Sequence, residues 1–199
     1  MSRIDALISQ GVLRTKHIIA AFQHVQRKDF LPASLQAQAG QDHPLPIGYG
    51  QTNSQPYTVA TMMEWLQPQQ YQNILDVGSG SGWTTALLAH IVGPKGTVIG
   101  SEIVPELVTI GRKNLAKYDY PWATITQATE TGHSEKSPYN RILVSAAADE
   151  LPTKLLEQLA DNGIMVIPIM NSIWVYTKKK DKTIGKEHYG FSFVPLREL

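Results

Sequence analysis

The sequence contains no cysteine among its 199 residues. Disulfide scaffolds, zinc sites with thiolate ligands and catalysis by a thiol nucleophile are therefore excluded. The six histidines are scattered, and no two of them are four residues apart as they would be in a helical zinc motif. We therefore predict no metal site.

Long apolar runs and a strong charge of one sign are also missing. No apolar stretch approaches the roughly 20 residues that a membrane-spanning helix needs, and residues 1–10 include Asp5 and lack the apolar core of a signal peptide. The formal net charge of +1 argues against a dedicated nucleic-acid binder. We expect a cytoplasmic protein that has neither membrane nor nucleic acid as a partner.

The first quarter of the chain differs in pattern from the rest. Residues 2–30 have apolar side chains at helical spacing, such as Ile18, Phe22 and Val25, and predict a helical cap. Residues 31–56 are rich in proline and glycine but poor in charge, which favours an ordered functional loop. A helix is expected from residue 57, with Pro56 in its first turn.

Beyond residue 70, predicted strands and helices alternate. The strands are 74–77, 97–100, 123–126, 141–145 and 164–169, and the helices are 83–91, 105–117 and 152–159. Two closing strands, 173–177 and 191–194, have no helix between them and predict an antiparallel hairpin at one edge. The pattern predicts a doubly wound α/β fold with a mostly parallel seven-stranded sheet. We treat 1–199 as one domain, with 1–56 as helical cap and loop and 57–199 as core.

The most specific motif is a glycine-rich turn between the first core strand and its helix, with the sequence Asp76-Val77-Gly78-Ser79-Gly80-Ser81-Gly82. Such glycines let the backbone turn tightly and let a ligand approach it. A dinucleotide fingerprint would need glycine at Trp83, whereas the spacing found here is typical of methyltransferases that use S-adenosylmethionine (SAM). A turn that only reverses the chain is the alternative.

Two acidic residues accompany the turn. Glu102 ends the next strand, where a carboxylate can accept hydrogen bonds from both ribose hydroxyls of a nucleoside; an exposed charge at a strand end is the alternative. Asp76 is predicted to bind the amino group of the SAM methionine, or to support the residues that contact the cofactor. A cap of the turn is the alternative.

The position after the fourth strand bears on the methyl acceptor. It reads Ser145-Ala146-Ala147-Ala148 and has no side chain that could hold an amino group. A carboxylate acceptor is already ionised at neutral pH and needs only donors to fix it. The segment 51–54 provides hydroxyls and amides just before a helix, and either a carboxylate clamp or a hydrophilic turn with a helix cap is consistent with it.

The sequence resembles the protein-L-isoaspartate O-methyltransferase family nearly from end to end. The likeness is carried by residues 30–32, 44–56, 76–82, 138–142, 146–148, 155–159 and 193–196. Of these, the segment 44–56 is highly specific to the family, and the glycine motif is shared with many methyltransferases. The resemblance implies a Rossmann-like fold and methylation of the abnormal α-carboxylate of isoaspartyl residues in damaged proteins. The ester then closes to a succinimide, which reopens partly to aspartate.

The resemblance also implies the site. Ser54 falls on the family's active-site serine, and Thr52 beside it is the second predicted catalytic residue. The residues predicted to bind SAM, and its product S-adenosylhomocysteine, are Gln51, Thr52, Asp76, Gly78, Ser79, Gly80, Ser81, Gly82, Glu102, Ile103, Ala128 and Thr129. The expected partners are isoaspartyl peptides and proteins, and the expected state is a monomer.

Three residues depart from the family pattern. Asn53 replaces an aliphatic residue, Ala128 replaces the Asp near the adenine, and Asn140 replaces an Asp. The change at position 128 removes a hydrogen bond to the adenine amino group and predicts weakened SAM affinity or a changed substrate. A carboxyl methyltransferase for another peptide or a small acid, and a non-catalytic SAM-binding protein, are therefore the alternatives. A nicotinamide oxidoreductase is disfavoured by Trp83.

Overall fold

A computed structural model describes residues 2–180 and 182–196. Within these residues there are six α-helices and nine strands. The helices are α1 (Arg3–Ser9), α2 (Lys16–His24), α3 (Pro56–Leu66), α4 (Trp83–Val92), α5 (Pro105–Leu115) and α6 (Thr153–Gln158). The strands are β1 (Leu45–Gly48), β2 (Gln51–Asn53), β3 (Asn73–Val77), β4 (Thr97–Glu102), β5 (Ala123–Gln127), β6 (Tyr139–Val144), β7 (Leu159–Ile169), β8 (Ser172–Lys179) and β9 (Lys182–Tyr189).

The main sheet has seven strands in the order β5-β4-β3-β6-β7-β8-β9. The first five strands in this order, from β5 through β3 to β7, are parallel to one another. β8 pairs with β7, and β9 with β8, in antiparallel orientation. The predicted doubly wound, mostly parallel seven-stranded fold is confirmed. The chain runs outward from β3 to β5 and then returns to the other side of β3, so the order reverses at β3. Ligands of such sheets bind in the crevice at this reversal, beyond the carboxyl ends of the strands.

Successive side chains of the parallel strands enter opposite apolar layers, as the pleat requires. Ile74 and Leu143 pack with α2, α3 and α4 on one face, whereas Leu75 and Ile142 pack with α6 on the other. These side chains are fully or almost fully buried. The two layers hold the strand ends in a fixed arrangement and thereby support the crevice.

The amino-terminal cap is less regular than predicted. The helical stretch expected over 2–30 is broken between α1 and α2, where the buried Glu64 of α3 accepts hydrogen bonds from the backbone amides of Arg14 and Thr15. The segment 31–56 holds a 3-10 helix and the β1–β2 hairpin, and α3 begins at Pro56 as predicted. None of the helices in the described ranges has both the length and the apolar character that crossing a bilayer requires.

The last predicted strand was placed wrongly. The edge strand is β9, and 191–194 is an extended segment outside the sheet. β9 is polar and almost entirely exposed, so it has no apolar alternation to reveal it. The segment 191–194 instead crosses the carboxyl end of β6, where the Ala147 amide donates to the Val194 carbonyl at 2.8 Å.

Candidate active site

The loops that follow β3, β4, β5 and β6 enclose a cleft at the carboxyl edge of the sheet, which we call the main cleft. The space between these loops, including the open mouth of the cleft, is about 930 Å³. Ten of the thirteen predicted site residues line it: Gln51, Thr52, Ser54, Gly78, Ser79, Gly80, Ser81, Glu102, Ile103 and Ala128. The glycine turn and the segment that carries Ser54 therefore face the same space.

A second depression, the side groove, opens beside the main cleft. It is lined by Pro44, Thr52, Ser54, Gln55, Thr58, Ser145, Ser192, Phe193 and Val194. Thr52, Ser54, Ser145 and Val194 belong to both walls. A group held in the side groove at Ser54 thus reaches the main cleft directly.

The glycine turn is held by the strand next to it. The amide of Gly78 donates to the Ser101 carbonyl at 2.8 Å, and the amide of Gly80 donates to a carboxylate oxygen of Glu102 at 2.8 Å. Gly82 has a φ of +94°, and a Cβ at this position would lie 3.1 Å from the Gly111 carbonyl oxygen. Gly82 is therefore needed for the contact between α4 and α5, and it does not line the cleft.

Glu102 is fixed at the end of β4 by two backbone amides. Its Oε2 accepts the bond from Gly80 and its Oε1 accepts one from Val104 at 2.9 Å. The side chain is 5% exposed and lies on the cleft wall. Each carboxylate oxygen has a further lone pair, so Glu102 can still accept hydrogen bonds from a pair of hydroxyls in the cleft.

Asp76 lies behind the wall of the cleft. It is fully buried, does not line the cleft, and its Oδ2 accepts hydrogen bonds from the hydroxyls of Thr84 (2.7 Å) and Thr85 (2.6 Å). Burial raises its pKa to about 6, against the lowering effect of these two hydroxyls. These contacts join β3 to the first turn of α4 and place Asp76 behind Thr84, which lines the cleft, whereas its Oδ1 has no hydrogen-bond partner among the described residues.

Arg27 organises the segment around Ser54, and sequence reasoning missed it. The side chain is 7% exposed. It donates hydrogen bonds to the side chain of Asn53 and to backbone carbonyls of Ala39, Gln41, His43, Asn53 and Ser54. Burial lowers its pKa to about 10, against the raising effect of Asp42. The guanidinium is therefore charged at neutral pH and lies directly beneath the loop.

Other cleft residues were not predicted to belong to the site, although several of them lie in segments that the sequence analysis singled out. They are Asn53, Val59, Val77, Trp83, Thr84, Ser101, Glu130, Thr131, Gly132, Ser145, Ala146, Val194, Pro195 and Leu196. Thr129, which was predicted to bind the cofactor, is exposed and lies off the cleft. In the described parts of the chain, no group of three or more His, Asp or Glu side chains is arranged to hold a metal ion.

Comparison with known proteins identifies the family of the chain. The sequence profile of the protein-L-isoaspartate(D-aspartate) O-methyltransferase family matches residues 2–199. The chain belongs to this family. A relative named protein-L-isoaspartate O-methyltransferase from Methanopyrus kandleri is 41% identical over 97% of this chain and 88% of its own length. A relative of the same name from Methanococcoides burtonii is 43% identical, over 97% of both chains.

Two solved structures with the family's name match as well. One, described as a putative member from Plasmodium falciparum in complex with S-adenosyl-L-homocysteine, has a TM-score of 0.85 at 26% identity, over 98% of this chain and 96% of that one. The other has a TM-score of 0.89 at 26% identity, and this chain spans 65% of its length. The cofactor of this family member is S-adenosylmethionine.

The main cleft has the groups that this cofactor needs. Ser79 Oγ and Trp83 Nε1 are buried without a hydrogen-bond partner in the described residues, and both residues line the cleft. An unpaired buried donor costs about 1–3 kcal/mol, and the polar amino-acid end of the cofactor offers partners. Gly78 has a φ of +73°, and a Cβ there would have no atom nearer than 3.9 Å, so space remains beside this backbone.

The departures from the family pattern have separate structural explanations. Asn53 is 5% exposed; its Oδ1 accepts a hydrogen bond from Arg27 Nε at 2.8 Å, and its Nδ2 lies 3.4 Å from Ser81 Oγ. Asn140 accepts a hydrogen bond from the Asn73 amide at the amino end of β3, on the edge opposite the cleft. Of the three, Ala128 alone leaves a methyl group where a carboxylate is expected on the cleft wall.

Proposed function

We propose that the chain transfers the methyl group of S-adenosylmethionine to the α-carboxylate of L-isoaspartyl residues in peptides and proteins. The observation that carries the proposal is that Ser54 belongs to both the main cleft and the side groove. The cofactor occupies the main cleft, and the isoaspartyl segment lies in the side groove. We propose that residues 1–199 act as one domain, as a cytoplasmic monomer.

The bound cofactor supplies a methyl group on a positively charged sulfur, which leaves as a neutral thioether. A carboxylate oxygen forms the new bond to the methyl carbon as the carbon–sulfur bond breaks, and no proton moves. A group with a pKa near 4 needs no general base. The protein has to align the oxygen with the methyl group and keep it there.

The hydroxyl groups at the place where the main cleft meets the side groove align the carboxylate oxygen with the methyl group. The side chains of Thr52 and Ser54 make no hydrogen bond to another described residue, and Ser145 lines the same two spaces as they do. Their hydroxyls can donate to the acceptor carboxylate. Arg27 contributes through its charge, since a buried cation beneath the Ser54 carbonyl raises the electrostatic potential where an anion binds.

The acceptor's chemistry is tested with two matched peptides that differ only in an aspartyl or isoaspartyl linkage. After incubation with methyl-labelled S-adenosylmethionine, base-labile label is expected on the isoaspartyl peptide alone. Equal labelling of both peptides would show a broader carboxyl methyltransferase. Tight cofactor binding with label on neither peptide would contradict the proposed acceptor and favour a different acid or a binding protein.

A further inference from the structure

The main cleft has a second acidic side chain besides Glu102, and it lies on the part of the wall that follows β5. Among the described residues that line the cleft, the acidic ones are Glu102 at the end of β4 and Glu130 after β5, and no lysine or arginine is present. Ala128, which has only a methyl group, lies between them in sequence. The cleft wall therefore carries a carboxylate two residues after position 128.

The segment that carries Glu130 is firmly held although it has no regular secondary structure. The buried Gln158 donates to the Thr131 carbonyl at 2.9 Å and accepts from the His133 amide at 2.8 Å. Ser101 Oγ donates to the Gly132 carbonyl at 3.2 Å. Gly132 has a φ of +92°, and a Cβ there would press against the side chains of Gln158 and Leu155, so this position favours glycine.

The carboxylate of Glu130 is itself oriented. Its Oε1 accepts hydrogen bonds from the amide and the hydroxyl of Ser134, both at 2.6 Å. These bonds lower the pKa of Glu130, so the group is ionised at neutral pH. Its Oε2 has no hydrogen-bond partner among the described residues and remains available to a ligand in the cleft.

The order of the strands indicates which part of the cofactor meets this oxygen. The glycine turn lies at β3, Glu102 at the neighbouring β4, and Glu130 beyond the outer β5. A nucleoside whose sulfonium lies at β3 and whose ribose lies at Glu102 extends its base toward β5. The exposed edge of adenine carries a 6-amino group, which is a donor that matches a free carboxylate oxygen.

We infer that Glu130 recognises the adenine of S-adenosylmethionine by accepting a hydrogen bond from its 6-amino group through Oε2. The inference rests on the proposed position of the cofactor in the main cleft. It makes Glu130 a specificity-determining residue that performs the task of the missing carboxylate at position 128. Glu130 then distinguishes adenine from bases with an acceptor at the 6-position.

Calorimetry with two product analogues tests the assignment without any turnover. The probes are S-adenosylhomocysteine and its hypoxanthine analogue, which carries an oxygen in place of the 6-amino group. A hydrogen bond to a charged group favours the amino ligand about tenfold or more. In Glu130→Gln, the Ser134 donors hold the amide oxygen, so the NH₂ group faces the base. This variant is expected to prefer the hypoxanthine analogue.

The matched control is Glu135→Gln, which removes an equal charge from an exposed residue of the same region that does not line the cleft. It should leave both affinities within about twofold of the parent. Equal weakening of both ligands in Glu130→Gln would overturn the assignment, because it would show a general charge effect. If the parent protein bound neither analogue, the position of the cofactor itself would be wrong.

A rescue experiment separates recognition from loop damage. Restoring the family's carboxylate with Ala128→Asp in the Glu130→Gln background should recover the preference for S-adenosylhomocysteine. The same change in the parent should add less than about threefold, because Glu130 already binds the amino group. A large gain in the parent together with no rescue in the double variant would contradict the role of Glu130.

Discussion

The Nη2 atom of Arg27 lies 3.0 Å from the carbonyl oxygen of Ser54 and donates a hydrogen bond to it. The same guanidinium also reaches carbonyls of Ala39, Gln41 and His43. One buried side chain thus replaces the regular hydrogen bonds that this segment lacks. It ties the position of the predicted catalytic serine to the helical cap.

Replacing Arg27 should therefore damage both stability and catalysis. In Arg27→Met, six hydrogen bonds are lost and several buried carbonyls have no donor, which should lower the free energy of unfolding by about 3 kcal/mol or more. Arg27→Lys keeps the charge but cannot form the planar fork, so it should recover only part of this loss. Urea unfolding measures the stability. Unchanged stability in both variants would contradict the organising role.

Ser54→Ala tests the hydroxyl at the junction of the cleft and the groove. The loss of one donor to the reacting carboxylate is expected to lower kcat about tenfold or more, while affinity for S-adenosylhomocysteine changes less than about threefold. Labelled methyl transfer and calorimetry give the two numbers. Thr61→Ala, in which the lost hydroxyl bonds to the Tyr57 carbonyl on an exposed face of α3, is the control. Full activity in Ser54→Ala would remove Ser54 from the mechanism.

The side chain of Asn53 makes one short and one long hydrogen bond, and the contribution of each to stability can be measured separately. Asn53→Ile leaves the Arg27 Nε donor without its acceptor at 2.8 Å, and the expected loss of stability is about 1–3 kcal/mol. Ser81→Ala removes only the partner at 3.4 Å and should cost less than about 0.5 kcal/mol. If the serine variant were the less stable of the two, the link to the glycine turn would be the stronger one.

The parts of the fold that the sequence predicted well are those where burial dictates residue type. Strand β3 is mostly apolar because both its faces are covered, with Asp76 as its one buried polar residue, and the glycines after it mark the turn. Strand β9 was misplaced because an exposed edge strand tolerates polar side chains on both faces. Its pairing comes from backbone hydrogen bonds with β8, and these leave no trace in side-chain pattern.

The residues of the site also divide into those that sequence patterns predict and those that they do not. Residues next to motifs, such as Gly80 and Ser54, were placed in one cleft from sequence alone. Arg27 was missed because its partners are mostly carbonyl oxygens of a loop, and carbonyls carry no sequence signature. Asn140 directly precedes the predicted strand 141–145, and the structure accordingly places it at the amino end of the strand, away from the cleft.

Asp76 gives the protein a pH-dependent stability that can be measured without substrate. Burial is the main cause of its raised pKa, which rises from 3.8 to about 6, and the nearby Glu102 adds to the rise. A group whose pKa is higher in the folded state favours folding when it is protonated. This contribution is complete below about pH 4 and is lost as the pH rises through about 6. The difference between the two pKa values corresponds to about 3 kcal/mol.

Asp76→Asn should remove this dependence, because a neutral amide oxygen can still accept the hydrogen bonds of Thr84 and Thr85. In urea unfolding between pH 4 and pH 8, the variant should gain stability relative to the parent as the pH rises, by up to about 3 kcal/mol. The exposed Asp149→Asn is the control for the loss of one charge and should show no such trend. A constant difference in the free energy of unfolding between Asp76→Asn and the parent over this range would contradict this prediction. It would mean that Asp76 has the same pKa in the folded and unfolded chain, and that contacts beyond the two threonines compensate its burial.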